Sequence, residues 1–165
     1  MRRLFLAVVL WTAATSAWAQ QVDRIDIVEY GIYTADKLKS ERDQNGQLHS
    51  IVGEVHLEDA TTTVTAEPGV KFGIKFRVLG TPDGKPVTLR RVIVYPQPGL
   101  RAPTAPEPLL RSEGPISPPM GDTVYTGFEF DDPWEQVPGV WTIQLWQGDH
   151  LLAEQHFTIL VGRNI

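Results

Sequence analysis

Four carboxylates lie close together in the last quarter of the chain, at Glu129, Asp131, Asp132 and Glu135. Hard cations such as Ca²⁺ bind several oxygens at about 2.3–2.6 Å, and loops between strands can supply them. Two carboxylates about 5–9 Å apart would also suit a glycoside hydrolase. Glu129, Asp131 and Asp132 are therefore the candidate metal ligands, for calcium, and the candidate acids of a hydrolase. The alternative is an acidic turn without a ligand, and we expect no cofactor.

The four histidines, His49, His56, His150 and His156, do not have the spacing of a metal site. Ligation by imidazole needs two or three rings that converge about 2 Å from the ion. His49 and His56 are an odd number of residues apart, which directs them to opposite faces of a strand. No nucleophile elbow, phosphate-binding loop or His-Glu-x-x-His motif is present. We therefore expect surface histidines and no enzymatic activity.

Two tryptophans near the end of the chain could present flat faces to a sugar ring. Trp134 lies beside the acidic residues, and Trp146 alternates with Gln144. Trp141 shares a strand face with apolar residues and is expected in the core, as in many sandwich domains. Carbohydrate binding through Trp134 and Trp146 is therefore an alternative to simple packing of these rings.

Residues 96–122 form a proline-rich segment, in which eight of the 24 residues from Pro96 to Pro119 are proline. Proline fixes φ and lacks an N–H group, so we predict an extended loop rather than a helix or a central strand. A preformed extended segment suits recognition by a partner; a loop lying across the domain is the alternative. The candidate partner contacts are Leu100, Leu109 and Leu110 in this segment, together with Trp134 and Trp146.

Hydrophobic alternation predicts that short strands position these residues. The clearest is 70–79, where Phe72, Ile74, Phe76 and Val78 share one face. Asn45 and Gly46 form a strong hairpin turn signal. Only residues 34–42 could form a helical turn or two. The other predicted strands are 22–33, 48–57, 61–65, 87–95, 123–130, 140–146 and 151–161.

This number of strands without a long helix predicts an all-β, immunoglobulin-like antiparallel β-sandwich with a proline-rich loop. The chain has no cysteine, which excludes a disulfide, a thiol nucleophile and a Cys-type zinc site. Residues 20–165 are long enough to form one domain with a packed core.

Residues 1–19 have the features of a cleaved signal peptide. Arg2 and Arg3 precede a short apolar run, and Ala17-Trp18-Ala19 is a small-residue cleavage signal. The run is too short to span a bilayer, so we expect Sec-type export to the periplasm or beyond, with cleavage after Ala19 and no membrane anchor. Loss of the two arginines takes the net charge from −5 to −7, which disfavours nucleic-acid binding.

Four segments together resemble a known bacterial family. They are Val28-Glu29-Tyr30-Gly31-Ile32-Tyr33, the stretch Glu67-Pro68-Gly69-Val70-Lys71-Phe72-Gly73-Ile74-Lys75-Phe76, the motif Pro138-Gly139-Val140-Trp141-Thr142-Ile143, and the closing Leu151-Leu152-Ala153-Glu154-Gln155-His156-Phe157-Thr158-Ile159. The set resembles the exported domain-of-unknown-function family number 3859. The resemblance implies an all-β exported domain with no assigned activity and no catalytic residues.

We therefore expect a non-catalytic binding module whose partner is a protein of the cell envelope. The segment 96–122 is the expected contact, and the turn at 131–134 is the second. A polysaccharide- or calcium-binding module and a hydrolase that uses Glu129, Asp131 or Asp132 are the alternatives. A packing module without a discrete site is a further possibility.

Overall fold

The structure is a computed structural model that describes the backbone of residues 21–42 and 48–162 and the side chains of 21–35 and 54–162. The predicted signal peptide and the Asn45-Gly46 turn lie outside the described residues.

Within the described residues the chain forms nine strands and a single-turn 3₁₀ helix at Pro133–Glu135. No helix there is long and apolar enough to span a membrane. The strands are β1 (Gln21–Arg42), β2 (Leu48–Asp59), β3 (Thr63–Ala66), β4 (Lys71–Thr81), β5 (Leu89–Val94), β6 (Arg111–Ile116), β7 (Thr123–Glu129), β8 (Gly139–Gln147) and β9 (His150–Val161).

The strands pack as two sheets, as the alternation predicted. One sheet has the order β2-β1-β4-β7, and the other has the order β3-β9-β8-β5-β6. Neighbouring strands are antiparallel except β3, which pairs in parallel with the end of β9. This exception arises because β3 carries the chain from the first sheet to the edge of the second.

The core lies between the sheets and is built from the alternating faces seen in the sequence. Each core side chain in the following set is exposed by 1% or less: Phe72, Ile74, Phe76, Val78, Leu89, Ile93, Trp141, Ile143, Leu145, Phe157 and Ile159. At about 25 cal/mol per Å² of buried apolar surface, these large side chains supply the main favourable term of folding. The prediction that Trp141 is a core residue is confirmed.

The prediction that residues 96–122 form one extended loop is wrong for residues 111–116. Residues 111–116 form β6, which pairs with β5. Pro115 is tolerated because β6 is an edge strand, where one missing N–H leaves no second neighbour unpaired. The segment therefore consists of a loop at 95–110, a strand, and a return at 117–122 that bonds to the β4–β5 turn through Gly84 N–H and the Met120 carbonyl.

The expectation of a helical turn at 34–42 is also wrong. These residues continue β1 and pair with β2, from Thr34 opposite His56 to Arg42 opposite Leu48. Ladder hydrogen bonds to a neighbouring strand outweigh a weak local helical preference, which tertiary context often overrides.

We expect Gly73→Ala to destabilise the sandwich. Gly73 lies opposite Gly127 in the β4–β7 ladder, and an added Cβ would lie 2.6 Å from the Gly127 Cα and still closer to the Thr126 carbonyl oxygen. Backbone atoms would have to move, at a cost of about 1–3 kcal/mol in the free energy of unfolding. Urea denaturation measures this.

The matched control is Gly114→Ala in β6, where an added Cβ meets nothing within 4 Å. We expect its free energy of unfolding to stay within about 0.5 kcal/mol of the unmodified protein. Equal denaturation midpoints for the two variants would contradict the steric argument.

Candidate functional site

A two-stranded arm extends from one end of the sandwich. The β1–β4 ladder ends where Tyr33 pairs with Lys71, but β1 continues to Arg42. In the part of the chain that the structure describes, residues 34–42 pair only with β2. We define the arm as residues 34–42 and 48–56. A two-stranded hairpin is marginally stable alone in water, and both outer edges present backbone N–H and C=O groups.

The loops chosen from the sequence lie at this same end. β5 ends at Val94 opposite Thr142 of β8, and β7 ends at Glu129 opposite Lys71. The loops 95–110 and 130–138 therefore leave the sheets beside the arm. They also approach each other closely, because a Cβ on Gly139 would lie 2.8 Å from the Cβ of Pro96. We call the arm and these two loops the arm end.

The three loop leucines have different positions. Leu100 is 1% exposed and belongs to the core, so the expectation that it contacts a partner is corrected. Its amide donates to the Leu109 carbonyl over 2.9 Å, and the Leu109 amide donates back over 2.7 Å. Leu109 packs partly against the core, whereas Leu110 is 43% exposed. Of the three, Leu110 is the side chain most available to a partner.

The two candidate tryptophans lie apart. Trp134 belongs to the 3₁₀ helix and packs partly against the core. Trp146 is the next-to-last residue of β8, at the opposite end of the sandwich, and the Arg90 guanidinium lies 5.5 Å from its ring centroid. Its indole N–H donates to Gln144 over 3.0 Å. One face of Trp146 is thus occupied by a cation, and the two rings do not form a joint platform.

The candidate metal ligands do not converge either. Glu129 accepts a hydrogen bond from the Lys71 ammonium over 2.8 Å, and the two side chains are 8% and 6% exposed. Asp131 and Asp132 belong to the following turn. In the residues whose side chains are described, no three histidine, aspartate or glutamate side chains are grouped so as to hold a metal ion.

Glu135 organises the acidic turn. It is 1% exposed, and its Oε2 accepts the backbone N–H groups of Asp131 and Asp132 over 2.7 and 2.9 Å. Burial is the main cause of a raised pKa at Glu135, and the two backbone donors oppose it. A glutamate three residues after Asp132, with proline between them, is a helix-capping signal that could have identified this role.

A cleft of about 340 Å³ lies at the base of the arm. Its lining includes Thr34 of the arm, the turn at Pro68 and Gly69, and the Lys71–Glu129 pair. Tyr33 forms another wall, and its ring meets that of Tyr125 edge-on at 4.8 Å. Burial, with a smaller effect of Glu29, raises the pKa of Tyr33 to about 12. The tyrosine is therefore neutral at physiological pH.

Two packed sheets in this order define an immunoglobulin-like β-sandwich. The chain belongs to the family described as Domain of unknown function (DUF3859), which it matches over residues 21–159. A crystal structure of an immunoglobulin-like protein from Pseudomonas aeruginosa is similar, with a TM-score of 0.60 and 26% identity. The match covers 82% of this chain and 96% of that chain. No curated protein matches the sequence. The resemblance found in the sequence is thus confirmed.

Glu135→Gln should remove one source of pH-dependent instability. The pKa of Glu135 is higher in the folded protein than in the unfolded chain. At pH values between these two pKa values, the folded protein therefore binds more protons than the unfolded chain does. The contribution of Glu135 therefore becomes less favourable as pH rises through that window. The free energy of unfolding of the glutamine variant, minus that of the unmodified protein, should grow with pH there. Urea denaturation at several pH values measures this difference.

Glu135→Ala is the control for the hydrogen bonds. It leaves the Asp131 and Asp132 amides without their acceptor, so it should be less stable than Glu135→Gln by about 1–3 kcal/mol at every pH. A glutamine variant whose stability difference does not change with pH would contradict the role assigned to burial of the Glu135 carboxyl.

Removing one member of the buried ion pair should cost more than removing both charges. Lys71→Met leaves the Glu129 carboxylate buried without its cation, at an expected cost of about 3–5 kcal/mol. The double variant Lys71→Met/Glu129→Gln should recover most of that loss, as measured by thermal and urea unfolding. A double variant no more stable than Lys71→Met would show that the charges are not coupled.

Proposed function

We propose that the protein is exported and acts as a non-catalytic module that binds another protein of the cell envelope through the arm end. The observation that carries the proposal is the arm, where β1 continues nine residues beyond its last pair with β4. A fold that needed only a stable sandwich would have no use for a protruding hairpin whose two edges are unpaired within the described backbone.

The chemistry of the arm favours an extended segment of a protein as the ligand. The complement of an open strand edge is another strand, which donates and accepts main-chain hydrogen bonds at every second residue. A third strand would also convert a marginal two-stranded hairpin into a three-stranded sheet. Binding therefore stabilises the arm as well as the partner segment.

The neighbouring loops support the same surface. Leu110 is an exposed apolar side chain on the 95–110 loop, and Asp131 and Asp132 add negative charge on the adjacent turn. An apolar contact beside charged groups is typical of the core and rim of a protein interface. Export to the envelope is supported by the features of residues 1–19.

We expect an arm-deletion variant to fold but to lose its partner. Replacing residues 36–54 by Asn-Gly joins Ala35 to Val55, which face each other in the native ladder, through a turn suited to hairpins. Tagged protein is crosslinked in periplasmic extract, and retained proteins are compared by mass spectrometry. Circular dichroism and urea unfolding confirm that the sandwich is intact.

Two point variants serve as a matched pair. Leu110→Ser changes an exposed side chain of the arm end, whereas Leu151→Ser changes one of equal exposure, 43%, at the opposite end. The first should weaken capture and the second should not. Capture that survives loss of the arm, or no specific capture by the unmodified protein, would refute the proposal. Deleting residues 96–122 is not a usable test, because it removes β6 and the buried Leu100 and Met120.

A further inference from the structure

The adjacent arginines of β5 have opposite environments. Arg90 faces outward, lies over Trp146 and forms an ion pair with Glu113 at 3.2 Å. Arg91 lies opposite the buried Leu145 of β8 and therefore points between the sheets. There its Nη1 donates to the Gly127 carbonyl of β7 over 3.5 Å, the long limit of a hydrogen bond.

No carboxylate among the described side chains matches the charge of Arg91. Its Nε is buried without a hydrogen-bond partner, and among the side chains that the structure describes no carboxylate lies within 4.0 Å of the guanidinium. The other inward or partly buried cations differ in this respect, because Lys71 pairs with Glu129 and Lys75 with Glu29.

Two tyrosine hydroxyl groups near Arg91 have hydrogen-bond partners of their own. Tyr125 donates to the Phe72 carbonyl over 3.1 Å, and Tyr95 shares a hydrogen bond of 2.7 Å with Ser112. Burial lowers the pKa of the Arg91 guanidinium, but an arginine side chain remains charged in proteins. A partly desolvated cation without an anion is costly, so a fold that keeps one has a reason to do so.

Arg91 lies near one side of the sandwich. β6 and β7 are edge strands of their respective sheets, and Arg91 spans from the strand next to β6 to the backbone of β7. We call the region between these two edges the β6–β7 seam. The residue Arg91 is only partly buried, so it is not sealed inside the core.

We propose that Arg91 is a binding residue for a carboxylate at the β6–β7 seam. A guanidinium is planar and offers parallel N–H groups that match the two oxygens of a carboxylate. The Gly127 carbonyl engages Nη1 only weakly, and within the described residues the other N–H groups of Arg91 have no protein acceptor. The carboxylate belongs either to a small organic acid or to an acidic side chain of a bound protein.

Nitrogen-detected NMR of the full mature chain tests this inference, with the Nε–H signals of Arg91 and Arg90 resolved. The probes are sodium acetate, the peptide acetyl-Thr-Val-Asp-Val-Thr-amide and its Asn counterpart, with sodium chloride at equal ionic strength as the reference. Arg91→Met is the site variant, Arg91→Gln is the second choice if it does not fold, and Arg90→Met is the matched control.

We expect a saturable shift of the Arg91 signal, unchanged in Arg90→Met, and at least tenfold weaker binding of the Asn peptide than of the Asp peptide. If both acetate and the Asp peptide saturate the shift of the Arg91 signal, a free organic acid is sufficient as the ligand. If only the Asp peptide does so, the ligand is an acidic side chain of a bound protein. In the Arg91 variants, which lack that signal, the backbone amide signals of β5 and β7 should shift with neither probe.

The inference is overturned if neither probe shifts the Arg91 signal, if chloride gives the same shift, or if an Arg91 variant binds as well as the unmodified chain. It does not depend on the arm. The arm-deletion variant should keep the response, so failure of the proposed function and failure of this site can be told apart.

Discussion

Phe72 packs edge-on against both Trp141 and Phe157, with ring centroids 5.8 and 5.0 Å apart, and thereby joins the two sheets. Phe130 stacks on the other side of this ring at 5.4 Å. The chain has no cysteine, so no disulfide fixes the distance between the sheets. The aromatic cluster does this by packing, since such pairs add about 0.5–1.5 kcal/mol each beyond their buried area. The position of every loop at the arm end follows from that packing.

The constraint also explains why unusual polar groups lie where they do. Strand β4 places Phe72 in the core and therefore places Lys71 on the opposite face, where Glu129 of β7 pairs with it. Strand β5 places Ile93 in the core, and Arg91 must share that face. The alternation of a strand thus places Lys71 on the face away from the core and Arg91 on the face toward it. Lys71 has its carboxylate within the chain, while Arg91 is the place where we infer that a ligand supplies it.

The alternating strands were predictable because each carries its own pattern. Phe72, Ile74, Phe76 and Val78 identify β4 without knowledge of any neighbour, and Trp141 identifies the buried face of β8. The strand β6 was not predictable, because Ile116 is the one large apolar residue among its six and no alternating pattern results. Pro115 also argues against pairing. Only its place at the edge of the sheet makes that proline acceptable. Leu100 was misassigned for a similar reason, since a loop residue reveals its burial only when the loop folds back onto the core.

The sequence by itself determined the all-β class, the buried faces of the main strands and the family, because these depend on local periodicity and on short motifs. The tertiary structure decided which residues could meet. It separated Trp134 from Trp146, paired Glu129 with Lys71, made Glu135 the acceptor for the acidic turn and left β1 projecting as the arm. These features depend on strand register and sheet order, which are set by contacts between residues far apart in the chain.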